Sequence, residues 1–279
     1  MRTNRFIISN NELRGEVLSL GASLADLRYG SKQIILPYRD DYRVTRAGMA
    51  ILAPFANRVR NGEYVFNGVT YRLPVNNEGH AIHGFVKDKE WQVIERSDAF
   101  ISMGLELKNE PGYPFKLLFN AKYEIRNNGL DFSLMVINAD EKAAPITVGA
   151  HPYFTYTTPR NEWLIDAGDV YRLEAIGNIP TGRMIPQRLV TRVGEYDDCF
   201  KINKDEIQLI FSEDWGISIK LRGFHFIQLF TPSWANAVAV EPMTGAPDAF
   251  NNGIGLITLG PGKSISPSFN VIPLKSIYR

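Results

Sequence analysis

Apolar and polar residues alternate along most of this chain, and no segment combines helix caps with three or four turns of helical spacing. The segment 63–73 is the clearest example, because Asn67-Gly68 is typical of a type I′ turn and alternating apolar residues follow it. A second hairpin is predicted over 119–136, with its turn at Asn127-Asn128-Gly129. The chain has 23 glycines and 16 prolines spread throughout, so strands and turns should recur at short intervals. These features predict an all-β fold, either a large antiparallel sandwich or a barrel.

Further strands follow from the same alternation. Near the amino terminus, short strands containing Leu18 and Leu24 should be joined by a turn at Gly21. In the second half of the chain, strands are predicted at 164–174, 206–211, 216–221, 225–231, 236–241, 254–259 and 264–272. We find no low-complexity linker, internal repeat or abrupt change in composition, which favours one domain over residues 1–279.

Length and charge exclude several classes of protein. A chain of 279 residues can bury roughly three quarters of its unfolded surface, enough for one large core. Its net charge of +1, from 31 basic and 30 acidic residues, gives no bulk attraction to nucleic acid or to an anionic membrane. No apolar run approaches the ~18 residues of a membrane span, and no signal-like segment follows Met1. Because Cys199 is the only cysteine, no internal disulfide can form, and we expect a cytoplasmic monomer or homodimer.

The stretch Gly149-Ala150-His151-Pro152-Tyr153-Phe154 lies near the middle of the chain. An apolar run over 145–150 ends at a histidine, which a proline and two aromatic residues follow. Such a run is typical of a buried strand, and Pro152 lacks the N–H needed to extend its hydrogen-bond ladder. We therefore predict His151 at a strand end, where its imidazole can face a cavity. The alternative is a histidine whose hydrogen bonds are satisfied inside the core.

The segment 238–245 repeats this pattern, because a small apolar strand leads to Glu241 and then to Pro242. A carboxylate beside a buried strand is costly to leave unpaired, so it should face a cleft or a donor such as histidine or arginine. Desolvation there would raise the pKa and the basicity of the carboxylate, which suits a general base.

Three other clusters are weaker signals on their own. Arg58 follows a compact apolar stretch, and its guanidinium suits hydroxyl, carboxylate or phosphate oxygens, although a structural salt bridge is the simpler interpretation. His80 and His83 form an H-x-x-H pair, but no third metal ligand is evident, so the case for a metal site is weak. Because Gly84 follows His83, the sequence favours instead a loop that the backbone approaches closely and that carries the imidazole of His83. Asp197-Asp198 is typical of a turn, and adjacent carboxylates should not both face one site.

The order of these motifs resembles that of the aldose 1-epimerase (galactose mutarotase) family across nearly the whole chain. The matching stretches are ANRV (56–59), NGEYVFNGVTYRL (61–73), IHG (82–84), HPYF (151–154), YDDCF (196–200), VEP (240–242) and LGPGKS (259–264). The resemblance implies a large antiparallel β-sandwich of the galactose mutarotase type. It also implies an open cleft that binds a monosaccharide, without a metal or an organic cofactor.

The resemblance further implies roles for seven residues. His151 would be the general acid and Glu241 the general base. His83 would contact the sugar near the reacting ring atoms, and Arg58 and Asp197 would bind its hydroxyls. Asn57 would orient Arg58, and Gln228 would make a further contact with the sugar. Phe85, Thr155 and the residues after Glu241 depart from the family pattern, which indicates a shorter, related branch and leaves the identity of the sugar open.

The implied reaction interconverts the α and β anomers of an aldose. A base removes the proton of the C1 hydroxyl while an acid protonates the ring oxygen, and the opened ring closes again after rotation about C1–C2. We expect a bell-shaped pH profile, with neighbouring carboxylates keeping His151 charged near neutrality. Most of the tryptophans should lie in the core, although any of them could stack on a pyranose: Trp91, Trp163, Trp215 and Trp234.

Three alternative functions remain open. A hexose 6-phosphate 1-epimerase would need a basic pocket. The candidates near Arg58 are Arg39, Arg43, Arg46 and Arg60, which are interleaved with Asp40 and Asp41. A sugar-binding protein without catalysis could share the scaffold. A glycoside hydrolase would pair Glu241 with an aspartate at roughly 5–9.5 Å.

Overall fold

The structure is a computed structural model that describes residues 3–38, 44–126 and 129–275. These ranges are almost entirely antiparallel β-structure, which confirms the predicted all-β fold class. Within them the helical elements are one short α-helix and three single 3₁₀ turns: α1 (Ala249–Asn252), Arg60–Gly62, Val86–Asp88 and Arg160–Glu162. No helix of the described ranges is long and apolar enough to cross a membrane.

The described ranges contain 25 strands. The first twelve are β1 (Arg5–Asn10), β2 (Leu13–Leu18), β3 (Leu24–Tyr29), β4 (Lys32–Ile35), β5 (Met49–Leu52), β6 (Arg58–Val59), β7 (Glu63–Phe66), β8 (Val69–Arg72), β9 (Ala81–Ile82), β10 (Gln92–Arg96), β11 (Phe100–Leu107) and β12 (Leu117–Arg126). The others are β13 (Gly129–Asn138), β14 (Ala144–Ile146), β15 (Gly149–Thr155), β16 (Leu164–Ile176), β17 (Ile179–Arg192), β18 (Asp197–Ile202), β19 (Glu206–Ser212), β20 (Trp215–Arg222), β21 (Phe226–Phe230), β22 (Ala237–Met243), β23 (Ile257–Leu259), β24 (Ser264–Ile265) and β25 (Ser268–Lys275).

Most of the strands join one continuous antiparallel ribbon. Following the hydrogen-bonded pairs, its order is β1, β2, β3, β5, β15, β22, β21, β18, β16, β19, β20, β25, β13, β12, β11 and β10. At one end β1 also packs against β11 and β12 from the other end, so the ribbon folds back on itself as a sandwich. The pairs β6–β9, β7–β8 and β14–β23 form small separate sheets.

Burial differs between the outer and the central strands. In β12, every second residue from Leu117 to Ile125 is buried and most of their neighbours are more exposed, as expected for a strand with one face on the core. In β15 and β22, every residue is buried. An ionisable group on either of these two strands is therefore removed from water, which makes its charged form costly.

The predicted hairpins are present. Asn67 and Gly68 have φ angles of 50° and 76°, as a type I′ turn requires, and they join β7 to β8. The second hairpin consists of β12 and β13, whereas its predicted turn residues Asn127 and Asn128 lie outside the described ranges. Gly21, with a φ of 71°, turns the chain between β2 and β3 as predicted.

Some strand predictions differ from the structure. The strand predicted at 254–259 is shorter, because Gly253 and Gly255 have positive φ angles and β23 begins only at Ile257. The strand predicted at 264–272 is divided into β24 and β25 at Pro267, which lacks an N–H. The long strand β17 was not predicted, because most of its residues are exposed on both faces and show little alternation.

Candidate active site

The hydrogen-bond ladder between the central strands β15 and β22 is interrupted in its middle. Pairing is present on both sides of the interruption, at Gly149–Met243 and at Tyr153–Ala239. Counting along this register from either side places His151 directly opposite Glu241, ninety positions later in the chain. The interruption therefore surrounds the two residues that the sequence singled out.

Two prolines coincide with this interruption. Tyr153 donates its backbone N–H to Gly48 on the β5 side, and the carbonyl of Met243 accepts from the β21 side. Because successive residues point their backbone groups to opposite edges of a strand, Pro152 and Pro242 both face the seam between β15 and β22, and neither has an N–H to donate. The prediction that Pro152 ends the strand is wrong, since β15 continues beyond it and stays paired with β5.

The strand register arranges the candidate residues in two neighbouring rows on one face of the sheet. Residues directly opposite each other in antiparallel strands share a face. The first row, across β5, β15, β22, β21 and β18, is Ala50, His151, Glu241, Gln228 and Cys199. The second row, two residues along the strands, is Tyr153, Ala239, Phe230 and Asp197.

Six of the nine residues in these rows line a cleft of about 340 Å³. All seven residues predicted for the site line this cleft: Asn57, Arg58, His83, His151, Asp197, Gln228 and Glu241. The remaining lining residues are Thr45, Arg46, Glu78, Ile82, Tyr153, Asn178, Phe230 and Trp234. Residues from distant parts of the sequence thus meet at one hollow whose size suits a small ligand.

His151 and Glu241 are in direct contact in this cleft. Nε2 of His151 lies 3.3 Å from Oε1 of Glu241, and both side chains are buried. Burial raises the pKa of Glu241 well above 4.5, with the carboxylate of Asp197 adding to the rise and Arg58 opposing it. Burial also lowers the pKa of His151 to about 3. The prediction that neighbouring carboxylates keep His151 charged near neutrality is therefore wrong for the protein alone, because desolvation by burial dominates the shift in its pKa.

These two shifts both favour the uncharged forms, so the pair holds a single proton between the two pKa values. With the imidazole neutral and the carboxyl protonated, neither buried group carries a charge. The ion pair of imidazolium and carboxylate holds the same number of protons and differs only in the position of one proton along the 3.3 Å contact. The pair can therefore present an acid and a base together without exchanging protons with solvent.

Several buried polar atoms of the cleft have no hydrogen-bond partner within the described part of the chain. They are Oε2 of Glu241, Oε1 of Gln228 and Nδ1 of both His83 and His151. Such atoms are uncommon in folded proteins and costly to leave unsatisfied. Oε2 of Glu241 and Oε1 of Gln228 can accept a hydrogen bond, and so can Nδ1 of His83 when Nε2 carries its proton. Nδ1 of His151 donates, because Nε2 faces the shared proton, so a ligand whose hydroxyls both donate and accept would complement this set.

His83 is positioned by an unusual loop conformation. Its φ angle is 62° and that of Gly84 is 65°, and a Cβ at Gly84 would lie 1.9 Å from the carbonyl oxygen of Ala53. The loop therefore requires glycine, as predicted from close backbone approach. The ring of His83 meets that of His151 edge to face at 5.4 Å, and burial lowers the pKa of His83 well below 6.5. His80 does not take part, because its Nδ1 accepts a hydrogen bond from the backbone N–H of Asn61.

The ligand atoms of His83, His151 and Glu241 all lie within 4.8 Å of one another. This set could coordinate a metal ion, and it contains His83 but not His80 of the H-x-x-H pair.

Arg58 is buried beside the cleft and is held by two neighbours. Its Nε and Nη2 donate to Oε2 of Glu78 at 3.2 and 3.0 Å. Oδ1 of Asn57 accepts from the backbone N–H of Arg58 at 2.8 Å and lies 3.5 Å from its Nη1, the arrangement expected of a residue that orients Arg58. The guanidinium is thus already charge-balanced by a carboxylate.

Of the other arginines considered for phosphate binding, Arg46 and Arg60 lie within the described ranges. Arg46 lies at its rim, with its guanidinium 4.3 Å above the ring of Trp234. Arg60 lies outside the cleft and pairs with Asp248 at 3.7 Å. Arg39, Arg43, Asp40 and Asp41 are outside the described ranges.

Asp197 and Asp198 point in different directions. They begin strand β18, so the prediction of a turn is wrong, and strand alternation separates their side chains as the repulsion argument required. Asp197 faces the cleft and accepts hydrogen bonds from Gln228 at 2.7 Å and from Asn178 at 2.9 Å. Asp198 lies 3.5 Å from Arg172 and does not line the cleft.

Three residues that line the cleft, Asn178, Glu78 and Tyr153, are not among the site residues predicted from the sequence. Gly177-Asn178 is a recognisable turn signal, but nothing local indicates that the turn reaches the cleft.

Trp234 is 45% exposed and lines the cleft, whereas the other three tryptophans are buried in the core, as expected for most of them.

The chain matches known proteins along nearly its full length. The profile of the family described as Aldose 1-epimerase covers residues 5–271. The uncharacterised protein YihR of Escherichia coli is 27% identical, over 95% of this chain and 91% of YihR. The galactose mutarotase of Sus scrofa is 23% identical, over 65% of this chain and 57% of that protein. The aldose epimerase homologue of C. elegans has the same fold, with a TM-score of 0.86 and 17% identity over 98% of this chain and 99% of that chain.

Proposed function

The chain belongs to the aldose 1-epimerase family, and on that premise we propose that it interconverts the α and β anomers of a free aldose by acid–base ring opening and closure. His151 acts as the general acid and Glu241 as the general base. His83 binds the sugar near its reacting atoms, Arg58, Asp197 and Gln228 bind its hydroxyls, and Asn57 orients Arg58.

One observation carries this proposal, namely the 3.3 Å contact between His151 Nε2 and Glu241 Oε1. The C1 hydroxyl oxygen and the ring oxygen of an aldopyranose are bonded to the same carbon. An acid and a base that act on these two oxygens must therefore lie side by side, as these groups do. The unpaired acceptors of the cleft, together with the donors of Arg58, add complementarity to a polyhydroxy ligand.

The reaction then needs only proton transfers. Glu241 takes the proton of the C1 hydroxyl, His151 gives a proton to the ring oxygen, and the C1–O5 bond breaks to leave an aldehyde. After rotation about C1–C2, the reverse transfers close the ring on the other face of C1. Positioned acid and base groups contribute about 10²–10⁴ each in rate. Hydroxyl donors from the sugar and the charge of Arg58 both favour the ionised carboxylate, which moves the shared proton to His151.

Anomer-resolved NMR on freshly dissolved α-aldoses tests the proposal. The wild-type protein should accelerate the approach to anomeric equilibrium for at least one unphosphorylated aldose, and His151→Asn should not. Sugar binding without faster exchange would instead indicate a non-catalytic binding protein. Acceleration confined to hexose 6-phosphates would contradict the choice of a free aldose, and release of sugar from an aryl glycoside would indicate a hydrolase.

A further inference from the structure

We propose that Asn178, at the tip of the β16–β17 hairpin, is a substrate-binding residue that together with Asp197 holds the end of the sugar remote from its anomeric carbon. This inference rests on the proposed function, because it deepens the description of the same cleft. Nothing in the sequence motifs points to Asn178.

The turn that carries Asn178 is short and has a defined conformation. Ile176 and Ile179 pair directly, so only Gly177 and Asn178 form the loop, with φ angles of 56° and 63°. Two central residues with positive φ define a type I′ turn, a conformation that asparagine tolerates better than most residues. The hairpin therefore presents the asparagine amide in a fixed direction at the wall of the cleft.

Hydrogen bonds connect this tip, through Asp197, to the row that contains His151 and Glu241. Nδ2 of Asn178 donates to Oδ2 of Asp197 at 2.9 Å, and Nε2 of Gln228 donates to Oδ1 of Asp197 at 2.7 Å. Gln228 in turn stands opposite Glu241 in the register of β21 and β22. Both oxygens of Asp197 are thus oriented by amides and still have lone pairs for sugar hydroxyls, while the second N–H of Asn178 remains able to donate.

The hairpin tip has few other attachments to the body of the protein. Ile176, next to the turn, is 78% exposed, and Gly177 and Ala175 are also exposed. A residue that served only to stabilise the hairpin would bond within it, as Thr181 does with Glu174. Asn178 instead donates a hydrogen bond to Asp197 on another strand, a residue predicted to bind the sugar.

The strand geometry places this contact far from the reacting carbon. Asp197 on β18 is two strands away from Glu241 on β22 and two residues along, which corresponds to about 10 Å across the sheet and about 7 Å along it. Asn178 cannot therefore contact the C1 oxygen that Glu241 deprotonates. Its contribution should be the same in the ground state and in the transition state, so its loss should raise KM and leave kcat nearly unchanged.

Asn178→Gly is the sharpest test, since glycine accepts the positive φ of the turn and removes only the amide. Loss of one hydrogen bond to a sugar should raise KM about 3- to 10-fold with kcat within about 2-fold of wild type. Asn178→Asp keeps the turn and the size of the side chain but places a second carboxylate beside Asp197, so KM should rise further. Thr181→Ala, which removes a hydrogen bond of the same hairpin outside the cleft, should leave both constants unchanged.

A series of monodeoxy aldoses identifies the contact. The sugar that lacks the hydroxyl bound by Asn178 should lose little affinity on Asn178→Gly, whereas the others lose the full 3- to 10-fold. The inference is overturned if KM is unchanged for every sugar, if kcat falls while KM stays constant, or if Thr181→Ala has the same effect. Sugar binding followed by Trp234 fluorescence separates this result from a failure of the proposed function. If the wild type binds sugar without epimerising it, the binding ratios still decide the role of Asn178; if it binds no sugar, both proposals fall.

Discussion

Replacing Glu241 with glutamine should reduce catalysis and change the pH dependence of stability at the same time. Glutamine has nearly the same shape, so packing between β15 and β22 should be retained, but it cannot remove the proton of the C1 hydroxyl. A positioned general base contributes about 10²–10⁴ in rate, which corresponds to about 3–5 kcal/mol of activation free energy. We therefore expect kcat to fall at least about 100-fold, with His151 still in place.

The effect on stability follows from the buried carboxyl. Burial raises the folded-state pKa of Glu241 well above its ordinary value of 4.5. Between the unfolded and the folded pKa, the unfolded chain releases a proton that the folded protein retains. The stability that the protonated carboxyl contributes is therefore complete below pH 4.5 and is lost as pH rises through this window, by at most about 1.4 kcal/mol per pH unit. Glutamine does not titrate and has no such loss, so the free energy of unfolding of the variant should increase relative to that of the wild type as pH rises.

Two measurements check this prediction. Anomer-resolved NMR gives the exchange rate, and urea unfolding between about pH 5 and about pH 8 gives the free energy of unfolding of both proteins. His151→Asn serves as the matched control, because it should lose activity but retain the pH-dependent loss caused by Glu241. A near-normal rate in Glu241→Gln would refute the assignment of the base, and a stability difference that does not change with pH would refute the raised pKa.

Three other outcomes follow from the same geometry. The acid limb of the pH–rate profile should lie near pH 3, because burial lowers the pKa of His151 to about 3 and the pair gains a second proton only below that pH. An acid limb near the ordinary value of 6.5 would show that the imidazole is hydrated. Asp197→Asn should raise KM about 10-fold or more while Asp198→Asn stays close to wild type in the same kinetic assay; equal effects would mean that strand alternation does not separate the two carboxylates. Gly84→Ala should unfold at lower urea concentration than Gly68→Ala, because both have positive φ angles but only at Gly84 would the new Cβ meet a backbone oxygen; similar midpoints would remove the close-approach argument.

The parts of the fold that depend on neighbouring residues could be predicted from the sequence. The turn at Asn67-Gly68 follows from two adjacent residues that accept positive φ, and the alternation in β12 and β13 follows from a period of two. The protonation of His151 could not be predicted in the same way, because it depends on complete burial of both faces of β15 by segments distant in the chain. The reach of Asn178 into the cleft likewise depends on how far a long hairpin extends beside β18, which no local pattern encodes.

The motif of an ionisable residue followed by proline has a physical explanation in the seam between β15 and β22. Where two antiparallel strands do not exchange hydrogen bonds, opposing side chains approach most closely, and the unpaired N–H groups would normally be costly inside a core. Pro152 and Pro242 have no N–H to leave unsatisfied, so they lower the cost of interrupting the ladder where His151 must meet Glu241. A hydrolase needs two carboxyl groups on either side of one bond at roughly 5–9.5 Å, and here the aspartate that lines the cleft, Asp197, already accepts hydrogen bonds from two amides. A seam that brings one imidazole and one carboxyl side by side is suited instead to the two oxygens of a single anomeric carbon.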